Sequence, residues 1–143
     1  MRVVYTVPPL FAEIDAAFNV KGKPVIFCFG QVIYNPEKVQ ITRELHAHEF
    51  VHGERQREQG TVEDWWHRYI ADPEFRLAEE IPAHQMEYLT FCQDNEMGRL
   101  RTARRLYLNA VAGKLSSPLY GNLISREKAR SIIKAGAKQP RAA

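Results

Sequence analysis

The strand signals in this chain all fall ahead of Pro36, and helical signals dominate behind it. "RVVYTV" (2–7) is β-branched and aromatic and reads as a strand, stopped by Pro8-Pro9. "LFAEIDAAF" (10–18) places Leu10, Ile14, Ala17 and Phe18 at helical spacing. After a Lys21-Gly22-Lys23 turn, "PVIFCFGQVIYNP" (24–36) reads as two short strands. Gly30-Gln31 forms the connection, since glycine suits the first central position of a tight hairpin. Beyond Pro36, Thr42 caps a helix that runs to about Gln59, where Gly60 stops it. Thr61 or Glu63-Asp64 opens the next, which carries the apolar stripe Val62, Trp65, Trp66, Tyr69 and Ile70 and ends at Asp72-Pro73. That stripe is of the kind that packs into a core. Helices follow over 74–94, 97–112 (closed by Gly113, with Leu100, Ala103, Tyr107, Ala110 and Val111 facing the core) and 125–137. The pattern predicts an α+β fold, a small antiparallel sheet from the N-terminal third packed on a helical bundle.

A length of 143 residues suits one domain, expected over 1–137 with a disordered tail at 138–143. No apolar run approaches the ~20 residues needed to span a bilayer. The N-terminus lacks the basic, apolar, small-residue order of a signal peptide, so a cytoplasmic location is expected. Cys28 and Cys92 form no C-x-x-C pair and are expected to be reduced packing residues. Charge is divided along the chain. Residues 1–98 hold nine Lys/Arg against sixteen Asp/Glu, a net of −7, while 99–143 hold eleven against Glu127 alone, a net of +10. A basic helical third (99–137) can face an acidic protein, an anionic polymer or nucleic acid, or can be a solvated face balancing the acidic front. No nucleic-acid motif is present and only Tyr107 and Tyr120 offer aromatic surface, which favours the solvated face or protein docking.

The chemistry concentrates in "ELHAHEFVHGERQ" (44–56), where His48-Glu49-Phe50-Val51-His52 fits H-E-x-x-H. Helix positions i and i+4 lie about 40° apart, so His48 and His52 project side by side. Imidazole nitrogens at that spacing can close on one zinc ion. Glu49 borders the pair, where a general base for a zinc-activated water should stand. His46 lies about 160° round from His48 and is read as a surface or core residue. Glu44 and Glu54 read as helix surface. A catalytic zinc site needs a third protein ligand. The extended motif with glycine at 55 and histidine at 58 is excluded by Arg55 and Glu58. "FRLAEEIPAHQMEY" offers Glu79, Glu80, His84 and Glu87. Pro82 would kink the helix there or start it, leaving Glu80 near a helix end. Tyr69, His67, His84 and Tyr88 are candidates to steady an oxyanion.

"HAHEFVH" followed by "EEIPAH" resembles the gluzincin branch of zinc metallopeptidases, and residues 24–95 are similar to small zincin-like proteins of tailed phages. The resemblance implies a His-His-Glu site completed by a glutamate in an E-x-x-A setting. Glu80-Ile81-Pro82-Ala83 fits that setting, so His48, His52 and Glu80 are the implied Zn2+ ligands and Glu49 the base. It further implies hydrolysis of peptide bonds in a protein or cell-wall peptide, with the strand at 31–35 aligning an extended substrate by edge pairing. Two other readings come from the same residues: a structural or docking protein of a phage-like particle, virion-associated, or a nucleic-acid-associated protein using the basic third.

Overall fold

The computed structural model describes residues 1–137; the expected tail at 138–143 lies outside the described residues. The elements run β1 (Arg2–Val4), α1 (Phe11–Phe18), β2 (Phe27–Phe29), β3 (Val32–Tyr34), α2 (Arg43–Glu58), α3 (Val62–Ala71) and α4 (Pro73–Asp94). A 3-10 turn (Glu96–Arg99), α5 (Arg101–Leu115), a second 3-10 turn (Pro118–Tyr120) and α6 (Arg126–Gly136) follow. This is an α+β architecture with six helices and one three-stranded sheet among the described residues. No described helix is long and apolar enough to cross a membrane.

The sheet is mixed rather than antiparallel. Its order is β1-β3-β2, with β2 and β3 an antiparallel hairpin (Phe27 opposite Tyr34, Phe29 opposite Val32) and β1 parallel to β3 (Arg2 opposite Val32). The hairpin turns on Gly30-Gln31, and Gly30 takes φ 60, which the first central position of such a turn requires. The parallel pair follows from α1, which lies between β1 and the hairpin and carries the chain back across. β3 is therefore the central strand, paired on both sides, and cannot take an extended peptide at an edge as expected from the sequence. The far edge of β2 is also engaged: the Cys28 carbonyl accepts from Gln56 Nε2 (2.9 Å) and Trp66 Nε1 (3.0 Å).

These contacts tie α2 to the hairpin. Gln56 is fully buried and also accepts from the Gly30 amide at 2.7 Å. A Cβ on Gly53 would run into the Gly30 carbonyl, so glycine permits this close approach. Thr42 and Thr61 cap α2 and α3, their hydroxyls accepting from the Leu45 and Asp64 amides at 3.1 Å each.

Two apolar cores flank α4. One joins Ile14, Val20, Phe27, Phe29, Trp65, Trp66, Tyr69 and Phe75, so both tryptophans pack as expected. The other joins Tyr88, Leu108, Val111, Ala112, Leu115, Ala129 and Ile133. The buried stripe of α5 is thus Leu108, Val111, Ala112 and Leu115, whereas Leu100 and Ala110 are exposed and Ala103 and Tyr107 half-buried. Only the C-terminal half of α5 is enclosed between α4 and α6. Nor does Gly113 end that helix: it lies within it, and a Cβ there would sit 2.5 Å from Arg126 Nη2. Cys28 and Cys92 are both free thiols.

The helix predicted over 74–94 begins one residue earlier. Asp72 caps it, with Oδ1 accepting from the Glu74 (3.0 Å) and Phe75 (3.2 Å) amides, and Pro73 occupies the first turn, where no amide is needed. It then continues through Pro82, neither starting nor ending there. Pro82 withholds one amide from the Ala78 carbonyl, a local loss outweighed by packing on α2, α5 and α6. Glu80 consequently projects from a helix interior, in a direction set by the helix.

Candidate metal centre

The i,i+4 spacing on α2 does bring His48 and His52 together, and both are buried. Their Nε2 atoms are 3.2 Å apart. Glu80 reaches them from α4, with Oε2 3.0 Å and Oε1 3.2 Å from His52 Nε2, and Oε1 3.5 Å from His48 Nε2. Three donor atoms at 3.0–3.5 Å separations match the edges of a tetrahedron about 3.3 Å wide, which is what zinc bonds of about 2.0 Å require. Two imidazoles and a carboxylate are also the donor types zinc takes. The residues fit the ion on both counts.

Glu79, one residue earlier, turns away. Its carboxylate is held by Arg55 (Nε 2.8 Å, Nη2 2.6 Å), Gln59 (2.8 Å) and Trp65 Nε1 (2.6 Å), a set of donors that occupies both oxygens. His84 is near but differently engaged. One of its ring nitrogens lies within 4.8 Å of ligand atoms on His48 and Glu80. However, Nδ1 donates to the Glu80 carbonyl of the preceding turn at 2.8 Å and stands 4.0 Å from the Glu80 carboxylate. Its Nε2 is buried without a partner among the described residues.

The three residues line one end of a cavity of about 70 Å³, partly open to solvent. Glu49, Tyr69 and Tyr120 share that end, and Ile14, Phe18, Val20, Phe27 and Leu119 line the apolar remainder. Tyr69 donates to Glu80 Oε2 at 3.3 Å. Tyr120, which the sequence offers only as aromatic surface, instead stands within hydrogen-bonding reach of Glu80 and packs edge-on against His84. It is fixed by Arg76, whose Nη1 donates to the Tyr120 carbonyl at 2.8 Å. The other oxyanion candidates lie elsewhere: His67 is 57% exposed and 3.3 Å from Glu13, and Tyr88 belongs to the helical core. His46 is half-buried and outside the cavity lining. Glu44 is not surface, as its spacing suggested, but buried, accepting from Asn95 Nδ2 at 3.1 Å; Glu54 pairs with Arg57.

A further carboxylate stands behind His48. Glu87 Oε1 is 2.9 Å from His48 Nδ1, and Glu87 Oε2 is 2.5 Å from Lys114 Nζ. Glu87 had been one of four possible ligands in the sequence; it lies on the outer side of the histidine instead.

Burial is the largest single influence on each group; it sets the sign at Glu49 and His84 and is overridden by neighbouring charges and hydrogen bonds at His48, Glu80 and Glu87. Burial works against a charged His48, but hydrogen bonds to Glu80 and Glu87 reverse this and raise its pKa to about 10. Burial likewise opposes ionisation of Glu80 and Glu87, yet His52 and His48 hold Glu80 well below the carboxylate range, and His48 and Lys114 hold Glu87 at about 2. Burial pushes Glu49 up, against the pull of His48 and His52 and with the push of Glu80 and Glu87. Burial, followed by the charge on His48, keeps His84 neutral, its pKa lowered to about 3.

For the metal-free protein these shifts set a pH optimum. The Glu87 and Glu80 contributions are complete above the ordinary value of 4.5 and are lost as pH falls through the folded values. The His48 contribution is complete below its ordinary value of 6.5 and is lost as pH rises towards about 10. Glu49, raised from 4.5, removes stability as pH rises above that value, while His84, lowered from 6.5 to about 3, removes it as pH falls below 6.5, so the two oppose each other between these values. In chelator, the melting temperature should therefore peak between about pH 4.5 and 6.5 and fall on both sides. A flat profile from pH 5 to 9 would contradict these assignments.

Comparison of the chain with protein-family models, with curated proteins and with solved structures gives no match.

Proposed function

We propose that the protein is a zinc-dependent hydrolase, a metallopeptidase of minimal gluzincin type, acting on peptide bonds of a protein or cell-wall peptide. One observation carries this reading: His48 Nε2, His52 Nε2 and the Glu80 carboxylate converge at 3.0–3.5 Å at the end of a cavity that Glu49 borders. His48, His52 and Glu80 would hold the ion. Bound there, zinc would acidify a water and polarise the scissile carbonyl.

The chain's own groups do the rest. Glu49, pushed up by burial, accepts a proton on its carboxylate from the attacking water and returns it to the leaving amine nitrogen. Tyr69 and Tyr120, kept protonated by burial and by the charge of Glu80, direct their hydroxyls at the Glu80 carboxylate and orient it. The apolar end of the cavity excludes water from the reacting atoms and accommodates an apolar part of the substrate.

Metal analysis tests the reading. Purified protein loaded with zinc and dialysed should retain about one ion per chain, and His48→Ala should retain none. A wild-type protein that keeps no zinc would remove the metallopeptidase from consideration.

A further inference from the structure

The basic C-terminal third has no assigned work in the proposed reaction, yet one of its cations reaches the candidate centre. We propose that Lys114, with Tyr107, is a positioning residue for the metal centre, acting through Glu87 on His48; this rests on the zinc reading above.

The chain of contacts is short and mostly buried. His48 is 4% and Glu87 3% exposed. His48 Nδ1 meets Glu87 Oε1 at 2.9 Å, which turns His48 Nε2 towards His52 and Glu80. An ionised carboxylate only accepts, so His48 Nδ1 carries a proton in either charge state, and the proton given up when an ion binds is the one on Nε2. The bond therefore selects both the ring orientation and the tautomer that a ligand needs.

What orients Glu87 comes from α5. Lys114 Nζ holds the second oxygen at 2.5 Å, and the Tyr107 hydroxyl stands within hydrogen-bonding reach of the same carboxylate. The Tyr107 ring is itself fixed by stacking on Phe91 of α4, with centroids 4.1 Å apart and planes 4° from parallel. The terminal torsion of a glutamate is broad, so a carboxylate anchored by one oxygen alone can swing off the Nδ1 axis. Lys114 and Tyr107, about two turns apart on α5, prevent this.

His52 makes the dependence sharper. Its Nδ1 is buried without a hydrogen-bond partner among the described residues. Only one of the two histidines is thus oriented from behind, and the preorganisation of the pair rests on Glu87 and what holds it. Lys114 resembles the other basic residues of α5 in sequence and its stem is exposed, but its ammonium rests on a buried carboxylate.

Zinc affinity, measured by competition with a chromophoric chelator, tests this without reference to turnover. Lys114→Met should weaken zinc binding about 10-fold, the lower end of what outer partners of a ligating histidine contribute. Tyr107→Phe should act in the same direction, and Lys114→Arg should restore most of the loss. Arg105→Met, an exposed cation on the same helix, should leave affinity unchanged. In nitrogen-15 spectra of the zinc-loaded protein, the His48 Nδ1–H signal should be sharp in the wild type and broadened by exchange in Lys114→Met. Unchanged affinity in Lys114→Met, even with a lower melting temperature, would make Lys114 merely structural and overturn the inference while leaving the zinc reading intact. A wild-type protein that binds no zinc would overturn both.

Discussion

Glu49→Gln should leave one zinc bound per chain and slow peptide hydrolysis by about 10²- to 10⁴-fold, the range a positioned general base contributes. The amide is nearly isosteric with the carboxylate, so the cavity end formed by His48, His52 and Glu80 keeps its shape. What disappears is the proton acceptor. The two readouts must separate: zinc content unchanged, turnover lost. Full turnover in Glu49→Gln would take Glu49 out of the mechanism, and loss of zinc would instead make it part of the metal's own binding set.

The second large effect distinguishes neighbours. Glu79→Ala and Glu80→Ala remove the same atoms from adjacent positions and should fail in different ways. Glu79 is 1% exposed and bonded to Arg55, Gln59 and Trp65. Without it, the Trp65 indole N–H and the inward face of Arg55 lose their acceptor. Unsatisfied groups of this kind cost about 1–3 kcal/mol each, less for a partly exposed arginine, so a total loss of about 2–4 kcal/mol is expected. For a chain of this size that is a fall of roughly 6–12 °C in melting temperature, with zinc still bound. Glu80→Ala should differ in the metal: it abolishes zinc retention, and it also takes an acceptor from His52 and Tyr69. Metal analysis beside calorimetry separates the two variants, since both lose stability and only Glu80→Ala loses the ion. Zinc loss in Glu79→Ala with retention in Glu80→Ala would reverse the assignment.

Legibility in the sequence followed the distance over which each feature is determined. His48 and His52 were readable because their relation is local: four residues on a capped helix fix a common face. The caps at Thr42 and Thr61 were readable for the same reason. Choosing Glu80 over Glu79 needed a resemblance, since both carboxylates are equally acidic in sequence; in the fold, Arg55 and Trp65 claim one of them. Glu87 and Lys114 lie 39 residues from His48 and 27 residues from each other respectively, and nothing local marks either. Tyr120 sits on a short 3-10 turn with no periodicity to flag it. The parallel pairing of β1 with β3 was also out of reach, because three-residue strands carry little information about their partners.

The adjacency of Glu79 and Glu80 has a consequence for how such a chain can change over time. Successive side chains on a helix differ by about 100°, so the clamp and the candidate ligand are separated only by phase. Inserting one residue between the Asp72 cap and Glu79 would rotate the following part of α4 by that angle, bringing Glu79 to the face Glu80 now holds and carrying Glu80 beyond it, and a deletion would bring Glu80 to the face of Glu79. Substitution on the exposed positions of this segment leaves the phase untouched. Drift along α4 is therefore expected to proceed by replacement at constant length, with length variation confined to the turns beside it.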